Sequence, residues 1–146
     1  MFRIAPPIRT MDKHGTGEYL APRGNRKHNG IDLACAVGSE VFSPVAGTVT
    51  KLGYPYGSGT GGASDADPYR YVEVTDEMGR RHRVFYIDPN DDNINLTDLD
   101  EVDQDTIIGI VQDLTRRYEG ITPHVHYEIM VGAKTSKTYI DPLEWL

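Results

Sequence analysis

His124 and His126, one residue apart in the run Pro123-His124-Val125-His126-Tyr127-Glu128-Ile129, have the side chains and spacing best suited to chemistry in this chain. In an extended segment side chains alternate between faces, so both imidazoles share a side with Cα atoms about 6.6 Å apart. At that spacing one ring can bind a metal while the other faces whatever the metal activates, provided further ligands come from elsewhere. His28-Asn29-Gly30-Ile31-Asp32 offers them. Residues four apart share a face on a strand or a helical turn, so His28 and Asp32 can converge whichever conformation Gly30 permits.

Each cluster alone has an ordinary explanation. A His-x-x-x-Asp pair fits a surface imidazole beside a turn-capping carboxylate, and alternating histidines fit the wet face of a strand. Taken together, three of the five histidines and an aspartate fall into two tight groups approached through Gly or Pro. Imidazole nitrogen and carboxylate oxygen suit a tetrahedral zinc with one position left for water, the pattern of hydrolytic sites. A structural site would close its shell with thiolates, and Cys35 is the single cysteine. One zinc ion is therefore the expected cofactor, although the same donors also suit other divalent ions.

The elements that must position these groups read as mainly β. Short β-branched and aromatic runs alternate with Gly, Pro, Asp and Asn, and helical periodicity is nearly absent. Strands are expected at 40–42, 47–52, 69–75, 81–87, 106–112, 124–131 and 138–140. The Gly- and Ser-rich stretch from Gly53 to Pro68 is expected to be a loop, a candidate groove wall; no Lys-Ser or Lys-Thr follows it, so it is no phosphate cradle. The acidic stretch from Asp91 to Asp105 fails as an EF-hand loop, because Leu96 and Val102 stand where Gly and Glu are required. It reads as a solvated connection. The end, Tyr139 to Leu146, mixes apolar anchors with a Pro turn and is expected to dock.

A chain of 146 residues suits a single domain with a real core and no disulfide staples. The net charge of −7 provides no basic stripe for phosphates, which argues against nucleic acid and against anionic membranes. The N-terminal Met1-Phe2-Arg3-Ile4-Ala5-Pro6-Pro7 lacks the apolar stretch of a signal peptide, and no run approaches a membrane span. The expectation is a soluble protein without membrane insertion, cytoplasmic unless lysis, an assembled particle or a separate leader carries it outside.

Three separated motifs resemble the lysostaphin/LytM-type zinc endopeptidase family in order and spacing. They are His28-Asn29-Gly30-Ile31-Asp32-Leu33, Gly38-Ser39-Glu40-Val41-Phe42-Ser43-Pro44-Val45-Ala46-Gly47-Thr48-Val49, and Pro123-His124-Val125-His126-Tyr127-Glu128-Ile129. The resemblance runs from about 15 to 143, leaving 1–14 as an N-terminal extension of the 1–146 domain. It implies an antiparallel sheet with a substrate groove flanked by loops, and a metalloendopeptidase that cleaves peptidoglycan peptides of the bacterial cell wall. It also implies His28, Asp32 and His126 as zinc ligands and His124 as a catalytic histidine.

One departure from that family falls on a strand. Active members carry a second histidine in Tyr-x-His-Leu, whereas this chain reads Phe85-Tyr86-Ile87-Asp88-Pro89, with Asp88 in the histidine's place. The same pattern resembles the leukocyte cell-derived chemotaxin branch, which keeps the zinc ligands and is regarded as lacking peptidase activity. His82, six residues before Asp88, lies about 20 Å away along an extended chain and cannot substitute. Tyr86 is the candidate replacement, since a phenol can donate to an oxyanion; packing alone explains it equally well. Asp88 is a second candidate, to orient His124, or else simply begins the turn at Pro89. Glu128 is expected to be a solvated strand-end residue, with support of the metal site as the alternative. The expected function is a zinc peptidase on wall peptides, with a non-catalytic zinc module that recognises a wall peptide or a protein partner as the alternative.

Overall fold

A computed structural model describes residues 7–56, 69–91 and 94–146. Most of the Gly- and Ser-rich stretch expected to be a loop, 57–68, and residues 92 and 93 of the acidic stretch lie outside the described residues. Twelve strands are described: β1 Pro22–Arg23, β2 Arg26–Lys27, β3 Ile31–Ala34, β4 Glu40–Phe42, β5 Gly47–Gly53, β6 Tyr71–Thr75, β7 Arg81–Phe85, β8 Ile87–Asp88, β9 Glu101–Val102, β10 Ile107–Val111, β11 His124–Val131 and β12 Thr138–Ile140. A short 3-10 helix, Pro142–Trp145, follows, with Asp141 accepting from the Leu143 N–H as its cap. Among the described residues no helix is long and apolar enough to cross a membrane.

All the strand pairs are antiparallel. The main sheet runs β12-β11-β7-β6-β5-β9, with β3 also paired to β11; a smaller sheet runs β4-β10-β8, and β1-β2 is a separate hairpin. Strand β11 organises the site. Its first half pairs β3, its second half pairs β12, and its other edge pairs β7. Val125, Tyr127 and Ile129 are fully buried on one face, among a core that includes Ile31, Leu33, Val72, Val74 and Val84 of the neighbouring strands. Val41, Ile108 and Val111 of the smaller sheet close the same core. The period of two then leaves His124, His126 and Glu128 on the opposite face.

Several strands match the expected runs within a residue or two, and the differences have local causes. The 81–87 run is interrupted at Tyr86, which sits at φ +72°, a conformation bulky side chains rarely adopt. Tyr86 and Asp88 therefore do not share a continuous strand. Strands β1, β2, β3 and β9 were too short or too mixed in pattern to be anticipated, and β9 lies within the acidic connection. The expected N-terminal extension is built into the body: Ile8 bridges Leu33, the Arg9 N–H donates to Asp32 O at 2.8 Å, and the Asp32 N–H donates to Gly17 O at 2.8 Å. The C-terminal end docks, with Trp145 edge-on to His82 and beneath the Arg80 guanidinium.

Candidate metal centre

His28, Asp32 and His126 meet through backbone geometry. Asp32 lies directly across the β3–β11 ladder from His126. The chain reaches β3 through Gly30, where a Cβ would stand 2.1 Å from the Tyr127 carbonyl oxygen, so only glycine allows this approach. His28 is held before it by two backbone hydrogen bonds, its N–H to Ala21 O at 2.8 Å and its carbonyl from Leu20 N at 2.9 Å.

The three ligand atoms form a near-equilateral triangle. His28 Nε2, His126 Nδ1 and Asp32 Oδ1 lie 3.0 Å from one another. Bonds of about 2.0 to 2.1 Å to a tetrahedral zinc put neighbouring ligands about 3.3 Å apart, so these donors need open only slightly to hold the ion. The outer faces of the ligands are also occupied. His28 Nδ1 donates to Glu18 O at 2.8 Å, which leaves Nε2 as the free lone pair. His126 Nε2 is 2.9 Å from Glu128 Oε1. Donor chemistry, spacing and outer hydrogen bonds all fit a divalent ion of the zinc type.

Electrostatics agree with that fit. Burial alone would raise the Asp32 pKa, but the imidazoles of His126 and His28 beside it outweigh burial and hold the carboxyl well below the usual carboxylate range. Burial alone would lower His126, yet Asp32 and Glu128 outweigh it and push the imidazole up to about 9. Two carboxylates thus draw a cation, here a proton, into the place a metal would take.

His124 completes the cluster without joining the triangle. Its Nδ1 lies 2.7 Å from Thr122 O and donates to it, so Nε2 carries the lone pair; that atom is 3.6 Å from Asp32 Oδ2. Burial outweighs the pull of Asp32 and lowers its pKa, which keeps the ring neutral and able to take a proton. The Tyr86 ring stands perpendicular to it, with centroids 5.7 Å apart. Because of the positive φ at Tyr86, this side chain enters the cleft, where its hydroxyl meets that of Tyr56 at 3.1 Å; Tyr56 is also bonded to Tyr118. Burial raises the Tyr86 pKa, so the phenol keeps its proton and remains a donor.

Asp88 is not brought to this group. It pairs with Ile110 in the smaller sheet and its Oδ1 accepts from the Asn90 N–H at 2.9 Å, so the carboxylate initiates the turn at Pro89. His82 is also remote, fully buried between Tyr127 and Asp76. Glu128 differs from the solvated residue expected. It is buried against His126 because β11 continues in register beneath the cleft.

Arg9 had no signal in the sequence. Its side chain is 2% exposed, and Nε and Nη2 donate to Asp32 Oδ2 at 3.2 and 3.1 Å. Nη1 meets Asp12 at 2.8 Å, and Asp12 in turn accepts from the Thr122 N–H beside His124. No local spacing predicts a contact between an N-terminal arginine and a residue 23 positions later. The cleft over the cluster has a volume of about 460 Å³.

Known proteins resemble this chain in sequence and in fold. The sequence model described as peptidase family M23 matches residues 26–142. Leukocyte cell-derived chemotaxin-2 of Mus musculus is 30% identical over 127 residues, covering 83% of this chain and 72% of that protein. Its Bos taurus counterpart is 29% identical over 121 residues, with the same coverage of 83% and 72%. The catalytic domain of the antimicrobial peptidase lysostaphin from Staphylococcus simulans superposes with a TM-score of 0.64 at 21% identity, covering 90% of this chain and 89% of that one. The catalytic domain of the prophage-encoded protein EnpA from Enterococcus faecalis gives 0.60 at 20% identity, covering 94% of each. At such identities the two structures share the fold with this chain.

Proposed function

This chain belongs to peptidase family M23, and on that premise we propose that it is a zinc-dependent metalloendopeptidase hydrolysing peptide bonds of bacterial peptidoglycan. The observation that supports this reading most is the turn of His124 Nε2 toward the same cleft as the His28, Asp32 and His126 ligand atoms. His28, Asp32 and His126 would hold the ion, which when bound supplies Lewis acidity and makes water a stronger acid.

The remaining work falls to residues of the chain. His124 accepts the proton of the attacking water at Nε2, with its Nδ1–H anchored on Thr122 O, and later returns the proton to the leaving amine. Tyr86 donates its phenolic proton as a hydrogen bond to the oxygen that gains charge as the peptide carbon becomes tetrahedral. Arg9 holds Asp32 in one orientation from behind. The cleft faces the wall from outside the cytoplasm in this reading, with the chain released, particle-borne or extracellular.

A second reading has its own observation. Asp88 occupies the place of the second family histidine and is folded into a turn, so the β7–β8 segment brings no imidazole to the cleft. The alternative is a non-catalytic zinc module that recognises a wall peptide or a protein partner. Release of new amino groups from purified peptidoglycan, abolished by a chelator and by His124→Ala while His124→Ala still binds one zinc, supports the peptidase. No release from a fully zinc-loaded chain leaves the recognition module.

A further inference from the structure

The cleft is cationic in a chain that is not. The whole sequence carries a net charge of −7. Among the described residues four permanent cations nevertheless line the cleft, Arg9, Arg23, Arg26 and Lys27, against two carboxylates, Asp32 and Glu128. Both carboxylates are engaged, Asp32 by Arg9 and the imidazoles, Glu128 by His126. Arg9 is buried against Asp32, and Arg23 is spent on Thr16 O at 2.6 Å and Pro22 O at 3.0 Å, with Asp32 at 3.5 Å. Arg26 and Lys27 differ. Both are exposed, and neither makes an ion pair among the described residues.

Their placement is fixed by the backbone. Arg23 pairs with Arg26 and Pro22 with Lys27 across a two-residue loop, Gly24-Asn25. Gly24 has φ +61°, the sign that a tight hairpin loop demands at its first position and that glycine adopts freely. This short loop holds the two cations at the rim beside His28. The other end of the cleft, formed by Pro55, Tyr56, Tyr86, Tyr118 and Ile121, is mainly aromatic, and the Arg117 guanidinium there is stacked 3.6 Å from the Tyr56 ring centroid. The ligand cluster lies between, with Arg23 close to Asp32 on one side and Tyr86 against His124 on the other. A cationic concavity on an anionic protein concentrates field lines and selects for negative ligands.

We propose that the substrate is an anionic peptide whose carboxylate is taken up by Arg26 and Lys27 on the β1–β2 hairpin, beside the His28, Asp32 and His126 cluster. The proposal rests on this cleft being the substrate groove of the peptidase reading. A neutral peptide can occupy the aromatic end but leaves both cations without a partner. A carboxylate gains two screened ion pairs and is steered toward the cleft as it approaches.

The test uses the full chain loaded with zinc, and dansyl-labelled, C-terminally amidated hexaglycine in versions carrying one Glu or one Gln at each position in turn. Binding is read by fluorescence and hydrolysis separately by chromatography of the products. At one position Glu is expected to bind about five- to tenfold more tightly than its Gln match, with the advantage fading as salt rises. The double variant Arg26→Glu, Lys27→Glu is expected to abolish the preference, read in each protein as the ratio of Glu to Gln peptide affinity. Arg26→Gln, Lys27→Gln gives the same reading with less perturbation of the hairpin. The proposal is overturned if no Glu peptide outbinds its match, if none of the peptides binds, or if the preference survives in the variants. In that last case the metal cluster, not the hairpin, holds the carboxylate. A Glu preference without hydrolysis removes the peptidase reading and keeps this one; hydrolysis without a Glu preference does the reverse.

Discussion

Arg9 grips one oxygen of Asp32 and leaves the other to the imidazoles: Nε and Nη2 bond Oδ2 at 3.2 and 3.1 Å, while Oδ1 lies 3.0 Å from both His28 Nε2 and His126 Nδ1. The pair is buried on both sides, so removing the guanidinium strands a charged carboxylate. Arg9→Met is expected to weaken zinc binding by about 10- to 100-fold and to destabilise the fold by about 3 to 5 kcal/mol. Competition with a zinc chelator and urea denaturation measure the two. Wild-type values in both would show that Asp32 is oriented by something else.

Tyr86 gives a separable prediction, because it reaches the cleft without touching the ligand atoms. Tyr86→Phe keeps the ring against His124 and removes only the hydroxyl. The expected loss is about 100- to 1000-fold in kcat on peptidoglycan, the usual cost of one oxyanion donor, with zinc content unchanged. Full activity in Tyr86→Phe would return this residue to packing.

Gly30 allows β3 to lie against β11. A methyl group there would stand 2.1 Å from the Tyr127 carbonyl oxygen and 2.8 Å from its carbon, both backbone atoms that cannot swing aside. Gly30→Ala should cost at least about 3 kcal/mol and disperse the ligand triangle, read together as a lower denaturation midpoint and lost zinc. An alanine variant with native stability would mean β3 can move away from β11 without penalty.

His82 predicts a pH dependence of stability far from the cleft. The Tyr127 hydroxyl donates to its Nδ1 at 2.8 Å and its Nε2–H donates to Asp76 at 2.9 Å, an arrangement that requires the neutral ring. Burial outweighs the attraction of Asp76 and lowers its pKa below the ordinary 6.5. The unfolded chain therefore takes up a proton at about pH 6.5 while the folded chain resists until lower pH. Stability from this group is full above about pH 6.5 and falls as pH drops toward the folded pKa. His82→Gln should flatten the fall in urea midpoint between about pH 6.5 and 4.5 relative to wild type. Parallel curves for the two proteins would contradict it.

What was legible beforehand was whatever repeats at short range. The alternation of His124, Val125, His126, Tyr127 and Glu128 announced a strand with one polar face, and the four-residue spacing of His28 and Asp32 announced that the two could converge. Arg9 was not legible, since its partner is set by how the N-terminal segment crosses β3, a contact with no period. Tyr86 was a candidate for its phenol, but its route into the cleft was not legible, because it depends on a single reversed φ that breaks the very pattern used to find strands. Glu128 was misjudged for a related reason. Its position near the end of a polar face looked wet, but the β11–β7 register sets it opposite Arg83, within the floor of the cleft.

The two faces of β11 carry separate duties. Val125, Tyr127 and Ile129 face the core, while His124, His126 and Glu128 face the cleft. Fold and site are therefore written on alternate residues of one strand, so a slip of a single residue in the β11 register would exchange the two sets and lose core and cluster together.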